Sequence, residues 1–381
     1  MFSRNKTIMQ LRNSSQTQQP DSASQQLLDT LQDIVSNVQI HSNFCISHPN
    51  YKPLELPDEI VALFQRMPAD IQNKYLHLQL RSFLYGIYYN GSMRATLAPD
   101  ADSDNLAMHQ DLENNTRLGV DIAFYERLHS SNRGSGYFDP GWSVVRLESD
   151  NTLAVSKGGL TLHIEPKKHL QLAEKSAAIG ELVAIRMPRN FVQSGFYMAV
   201  GNAGSRSYGH SNREPEIVRI YFNFSPEGAV AVMGSLTREL NNISIPFTFK
   251  VLYNPGEYKR YDSGVLYFEK SHYEAVRQVL ETVYTQTRAH FHTDVPLFTK
   301  FLAPGLGLAE EPDRKFAEQE SFGMNRCQIV ANGLLEAWHS LDDSPQGRMT
   351  SILKQFSLLE VELMRSYLNA NSVDIYTQME F

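Results

Sequence analysis

The sequence predicts an α+β protein: an N-terminal helical part followed by a curved, mainly antiparallel sheet flanked by helices. Three observations carry this. Apolar residues recur at helical spacing through the first ninety positions. Short extended stretches linked by turns crowd residues 142–268. Amphipathic helical patterns then return between and after those strands.

The 381 residues suffice for one large domain or two medium ones, and 42% hydrophobic with 20% charged residues describes an ordinary globular composition. A net charge of −7 argues against bulk attraction to nucleic acid or to an anionic membrane. No apolar run is long enough for a membrane span, and no signal-peptide pattern opens the chain. Two cysteines, Cys45 and Cys327, make neither a disulfide framework nor a thiolate metal site, which fits a reducing cytoplasm.

In order, residues 1–23 are rich in Ser, Gln and Asn and predict a disordered or mobile arm. A helical region follows over 24–115. Ser24 is a candidate cap for a helix carrying Leu27, Leu28, Leu31, Ile34, Val35 and Val38. Residues 41–57 predict a loop. Asp58 opens a second helix, Pro68 punctuates, and an apolar third helix runs from about Asp70 to Tyr89, with Gly91 placed as its terminating glycine. Residues 90–115 are polar and acidic, and a basic, glycine-rich segment follows.

An α+β domain is predicted over 116–381. Strand signals fall at 142–147, 153–156, 160–164, 181–187, 195–200 and 217–224. A helix is predicted over 229–241. Pro246 to Lys270 then reads as strand, turn, strand, with Asn254-Pro255-Gly256 at the turn. Helices follow at 272–291, 320–338 (with Ser321 as cap) and 351–368. The intervening 296–312 predicts a loop.

The standard catalytic signatures are absent: no Walker loop, no nucleophile elbow, no zinc-protease helix. His290 and His292 lie two apart at a helix end, which suits an exposed pair better than a metal site, and no metal ligands are assigned. The chemistry-bearing residues are cations and hydrogen-bonding groups on strands. Lys250 is flanked by Phe249 and Val251, with Lys259 and Arg260 close behind. A partly desolvated lysine near other cations can lose its proton and act as a base; the same pattern also fits a lysine whose stem packs on the sheet while its ammonium reaches water. His163 sits at a strand position, either as a core histidine or as a general acid. Arg219, Tyr221 and Asn223 alternate onto one strand face, a set suited to binding. Lys157 lies in a turn. Lys300 and Arg326 are further anion-binding candidates, Arg326 near a helix N-terminus.

Ordered segments carry a family resemblance: Gly158 to His163, Val218 to Asn223, Ile245 to Leu252, Lys259 to Asp262, Pro296 to Lys300, Ala303 to Glu310 and Ser321 to Arg326. Together they resemble the Hop effector family of the A-one type. Its members occur as bacterial type III effectors, and related domains serve as the lyase component of class V lanthipeptide synthetases. A remoter similarity reaches the effector phosphothreonine lyases. Thr161-Leu162-His163 resembles their strand with the general-acid histidine, and Phe249-Lys250-Val251 the strand with the base lysine. Arg260 resembles their phosphate-binding arginine, and Tyr267 falls where they have a Tyr-x-Lys, although Lys270 comes one residue later than that spacing. Thr161 replaces a phosphate-contacting lysine, a role Lys157 would have to take.

The resemblance implies a phosphoserine or phosphothreonine lyase. Lys250 and His163 would act as base and acid, Tyr221 and Asn223 as donors, and Lys157, Arg219, Asn223, Arg260, Tyr267, Lys300 and Arg326 would bind substrate or phosphate. It implies a phosphorylated peptide or protein as substrate, a partner kinase that makes it, and no cofactor. The alternative expectation is a non-catalytic module that holds a phosphorylated or acidic partner.

Overall fold

A computed structural model describes residues 22–101, 119–205 and 215–379. Most of the predicted arm and the end of the polar 90–115 segment lie outside these residues.

Helix α1 (Ser22–Asn37) starts two residues before Ser24 and buries Leu27, Leu31, Ile34 and Val35. The expected loop over 41–57 instead holds two strands of a small antiparallel sheet, β2 (Ile46–His48) and β3 (Tyr51–Leu54), which β1 (Gln39–Ile40) completes. Strands of two to four residues are too short to show an alternation. Helices α2 (Asp58–Phe64) and α3 (Ala69–Leu84) follow Pro57 and Pro68. The chain continues from α3 into a π-helical turn, Tyr85–Tyr89, and closes with Gly91 at φ 74°. Helix α4 (Ile122–Ser131) was not predicted; Asp121 caps it by accepting the Phe124 amide at 2.9 Å.

The single sheet expected from the sequence is two sheets. Strands β4 (Tyr137–Leu147), β5 (Leu153–Lys157) and β6 (Leu160–Ile164), the short helix α5 (Pro166–His169) and strand β7 (Leu182–Met187) come first. The four strands pair antiparallel in the order β6-β5-β4-β7. They bury a core of their own, including Trp142, Val144, Val155, Ile164 and Ile185.

The larger sheet uses β8 (Asn190–Gln193), β9 (Phe196–Val200), β10 (Ile217–Phe222), then helix α6 (Pro226–Asn242), β11 (Thr248–Leu252) and β12 (Gly264–Glu269). After helix α7 (Tyr273–Thr287) come β13 (Lys300–Ala303) and β14 (Leu306–Glu310). These two strands are a hairpin where a loop was expected. Gly305 turns it at φ 74°, and a Cβ there would meet the His292 carbonyl at 2.5 Å. The seven strands are antiparallel in the order β13-β14-β10-β12-β11-β9-β8. Helix α8 (Phe322–His339) begins at Ser321, whose hydroxyl accepts the Met324 amide. Helix α9 (Pro345–Leu358) is capped by Ser344, so the closing helix starts and ends earlier than the predicted 351–368.

Strand β11 is buried on both faces rather than one. Phe249 and Val251 join Ile220, Phe222, Leu266 and Phe268 on one side of the sheet. That side reaches α7 through a chain of rings, Phe222–Phe291–Tyr284. The opposite side is closed by the π-turn and the start of α8, whose Tyr89 and Phe322 rings both meet Tyr221.

Candidate functional site

Register brings the site together. On neighbouring strands Lys250 lies opposite Val265, and Val265 opposite Tyr221. One step along, Thr248 lies opposite Tyr267, and Tyr267 opposite Arg219. Period-2 alternation therefore points Lys250, Tyr221, Arg219 and Tyr267 to the same face. They surround a cavity of about 20 Å³, completed by Phe196, Arg260, Asp262, Ser321 and the π-turn tyrosines 85 and 89.

Lys250 is 6% exposed. Its Nζ lies 4.5 Å from the Phe196 ring centre and 5.6 Å from that of Tyr267, and it makes no hydrogen bond or ion pair among the described residues. The two arginines beside it are matched. Arg219 is ion-paired with Glu311 and lies 5.1 Å over the Tyr267 ring. Burial alone would raise the Glu311 carboxyl, but the Arg219 guanidinium holds it below its ordinary value. Arg260 donates to both oxygens of Asp262, at 2.5 and 2.9 Å, and Asp262 also accepts from Tyr85 and Asn90. Burial alone would lower the Arg260 pKa, but Asp262 raises it above the usual arginine value. Glu311 is shared with Lys315, and of the three cavity cations Lys250 has no carboxylate partner among the described residues.

Burial pushes the Tyr221 phenol upward, so it stays a donor at neutral pH. Tyr89 and Arg219 approach its oxygen at hydrogen-bonding range, yet among the described residues neither completes a well-formed hydrogen bond. Tyr89 can reach this position because α8 carries Gly323, where a Cβ would fall 2.3 Å from the Tyr89 ring. A cavity of this size holds about one water molecule. A phosphate group enters only if the aromatic wall moves.

Five predicted residues gather here: Lys250, Tyr221, Arg219, Arg260 and Tyr267. The other five do not. His163 belongs to β6 of the four-stranded sheet, its side chain 57% exposed and 3.5 Å from Glu148. The expected pairing of an imidazole at 163 with the amine at 250 across one hollow is not found, because β6 pairs with β5 and never joins the larger sheet. Lys157 is in the same small sheet, bonded to Asp139 and to the Pro140 carbonyl at 2.8 Å. Asn223 lies just beyond β10 and donates to the Asp294 carbonyl. Lys300 is ion-paired with Asp374 in a separate groove. Arg326 is 2% exposed and donates to the Ser366 and Leu368 carbonyls and to Asn325. Burial lowers its pKa to about 10, and it ties α8 to the C-terminal segment instead of holding an anion.

Sequence reasoning missed Tyr85, Tyr89, Phe196 and the counter-charges Asp262 and Glu311. Asp262 carried a usable signal, an acid two positions from Arg260. Glu311 carried none, since its partner lies 92 positions away. Among the described residues no cluster of three or more His, Cys, Asp or Glu is placed to hold a metal, and no helix is long and apolar enough to cross a membrane.

The larger sheet and this cluster define an α+β protein with a buried, cation-lined site on one sheet face. Residues 187–368 match the model of the HopA1 effector protein family, the family that the resemblance to the A-one Hop effectors implied. The region contains all seven strands of the larger sheet and all five gathered residues; His163 and Lys157 fall outside it. Two solved structures are similar to the chain. One is the effector protein from Pseudomonas syringae pv. tomato strain DC3000, 15% identical, covering 92% of this chain and 100% of that one, with a TM-score of 0.45. The other is the effector protein from Pseudomonas syringae pv. syringae strain 61, 12% identical, covering 91% and 99%, with a TM-score of 0.44. No curated protein matches the chain.

Proposed function

We propose that the Lys250 cavity is the elimination site of a phosphoserine or phosphothreonine lyase acting on a phosphorylated peptide, as in lanthipeptide-type maturation. The observation that carries the reading is a buried amine without a hydrogen-bond partner, set beside two arginines and an unsatisfied phenol. In the unprotonated form Lys250 takes the proton from the substrate Cα. That electron pair forms the Cα–Cβ double bond as the Cβ–O bond breaks, and phosphate departs with the bonding pair. Arg219 and Arg260 receive the phosphate, with Glu311 and Asp262 holding both guanidinium groups in place. With His163 on another sheet, Tyr221 is the donor available to the departing oxygen. The product is dehydroalanine or dehydrobutyrine, and a partner kinase supplies the substrate.

Mass spectrometry after incubation with a phosphopeptide tests this. Loss of the mass of phosphoric acid indicates elimination, whereas replacement of phosphate by a hydroxyl indicates a phosphatase. Arg219→Ala should weaken phosphopeptide affinity; an unchanged affinity removes Arg219 from the phosphate site. The second reading, a module that holds a phosphorylated or acidic partner without reacting, is favoured by the closed cavity and its lack of an imidazole. Binding with no mass change would select it.

A further inference from the structure

A groove of about 1010 Å³ runs between α1 and the segments 294–301 and 362–367. It shares its back wall with the Lys250 cavity. In the π-turn Tyr88 faces the groove and Tyr89 the cavity; in the next loop Tyr261 faces the groove while Arg260 and Asp262 face the cavity. The Tyr261 amide donates to the Asn90 carbonyl at 2.9 Å and the Leu297 amide to the Tyr89 carbonyl at 3.0 Å, so these segments form one partition.

The groove wall has a small acidic excess, Asp29, Asp33, Asp294 and Glu362 against Arg94, Lys300 and Arg365. Lys300 is paired with Asp374 at 3.1 Å, and Arg365 with Glu362 at 2.5 Å. Asp29, Asp33 and Asp294 have no lysine or arginine partner among the described residues. Asp33 accepts from Tyr88 at 2.7 Å and Asn37 at 2.6 Å and lies 3.5 Å from the His48 imidazole, which burial holds below its ordinary value and so uncharged at neutral pH. Against these three carboxylates stands Arg94, whose guanidinium binds the Ile87 carbonyl and the Tyr261 hydroxyl. Asp29 and Asp33 are one helical turn apart on α1, spaced to meet one or two cations of an extended chain.

We propose that this groove seats an extended stretch of the substrate polypeptide bearing lysine or arginine, next to the phosphorylated residue offered to the Lys250 cavity. The proposal rests on the lyase reading for the second half of that statement and on the groove alone for the first. It gives the protein a substrate preference: basic residues flanking the phosphorylated position.

The test is fluorescence anisotropy on the full chain with three labelled peptides. One carries phosphothreonine flanked by lysines, one the same phosphothreonine flanked by glutamines, and one the lysines with unmodified threonine. The lysine phosphopeptide should bind about fivefold tighter than the glutamine one, the scale of two solvent-exposed ion pairs. The double variant Asp29→Asn/Asp33→Asn should erase that difference. Asp29→Asn alone, at an exposed helix position where the carboxylate accepts from Gln25, should remove part of it without touching the buried His48 contact. Equal affinities in the unaltered protein, or a preference that survives the double variant, overturn the proposal. The unphosphorylated lysine peptide separates the two readings: its affinity should fall in the double variant and stay unchanged in Lys250→Ala, whatever the outcome of the elimination assay.

Discussion

Replacing Lys250 by methionine should stabilise the protein and stop its chemistry at once. The side chain is 6% exposed and its Nζ has no hydrogen-bond partner among the described residues. A buried polar group in that condition costs about 1–3 kcal/mol. The ring faces of Phe196 and Tyr267, at 4.5 and 5.6 Å, offset about 0.5–1 kcal/mol each. Methionine keeps the length and the contact with the rings and removes the amine. The midpoints, about 2 kcal/mol against about 1.5, favour Lys250→Met by about 0.5 kcal/mol, which is roughly 1 °C in Tm for a chain of this size. Loss of a general base should lower elimination by ~10²-fold or more. Differential scanning calorimetry and the phosphopeptide mass assay, run on the same preparation, read both numbers. A Tm several degrees lower would mean that the amine holds the fold together, and undiminished elimination would remove it from the reaction. Either result refutes the reasoning.

Three further outcomes follow from particular contacts. His163→Ala should leave elimination unchanged, because that imidazole is 57% exposed on the other sheet; a hundredfold loss would show that the small sheet reaches the cavity during turnover. Gly323→Ala should push a Cβ to within 2.3 Å of the Tyr89 ring and destabilise by about 1–3 kcal/mol, with phosphopeptide affinity falling as the ring moves; a melt indistinguishable from the parent would contradict the close approach. Glu257 is 8% exposed, and burial raises its pKa to about 7 against the pull of Arg260 and of Asn254. The folded chain therefore holds a proton that the unfolded chain releases from about pH 4 upward, and stability falls as pH rises towards 7. Glu257→Gln should raise Tm at pH 8 and change it little at pH 4; equal gains at both pH values would mean that this carboxyl is not titrating.

What the sequence made legible was local. Ser321, the Pro68 stop and the Gly91 terminator are read from neighbouring residues, and the structure places them as read. Lys250 was legible for the same reason, as a cation between apolar neighbours on a strand. Helix α4 and the β13–β14 hairpin were not, because ten residues with two buried side chains and two strands joined by Pro-Gly resemble loops. The site residues divide along the same line. Alternation along a strand says which side chains share a face, but it does not say which sheet the strand joins. His163 and Lys250 both alternate correctly, yet β6 closes on β5 while β11 is held between β9 and β12. Arg326 shows the complementary limit, since a position near a helix start does not fix the direction of a long side chain, and its guanidinium runs to the Ser366 and Leu368 carbonyls.

The counter-charges make the same point energetically. An arginine buried beside Lys250 would be costly without a carboxylate, so a cluster of three cations in one small cavity requires acids that the cations' own strands need not supply. Asp262 comes from the loop before β12 and Glu311 from the end of β14, on opposite sides of the central strands. Asp262 pairs with Arg260, and Glu311 with both Arg219 and Lys315, so the cavity cation left without a carboxylate among the described residues is Lys250. A structural cluster would be stabilised by pairing it as well. Lys250 has no such partner among the described residues, which sets it apart from Arg219 and Arg260 on the same face.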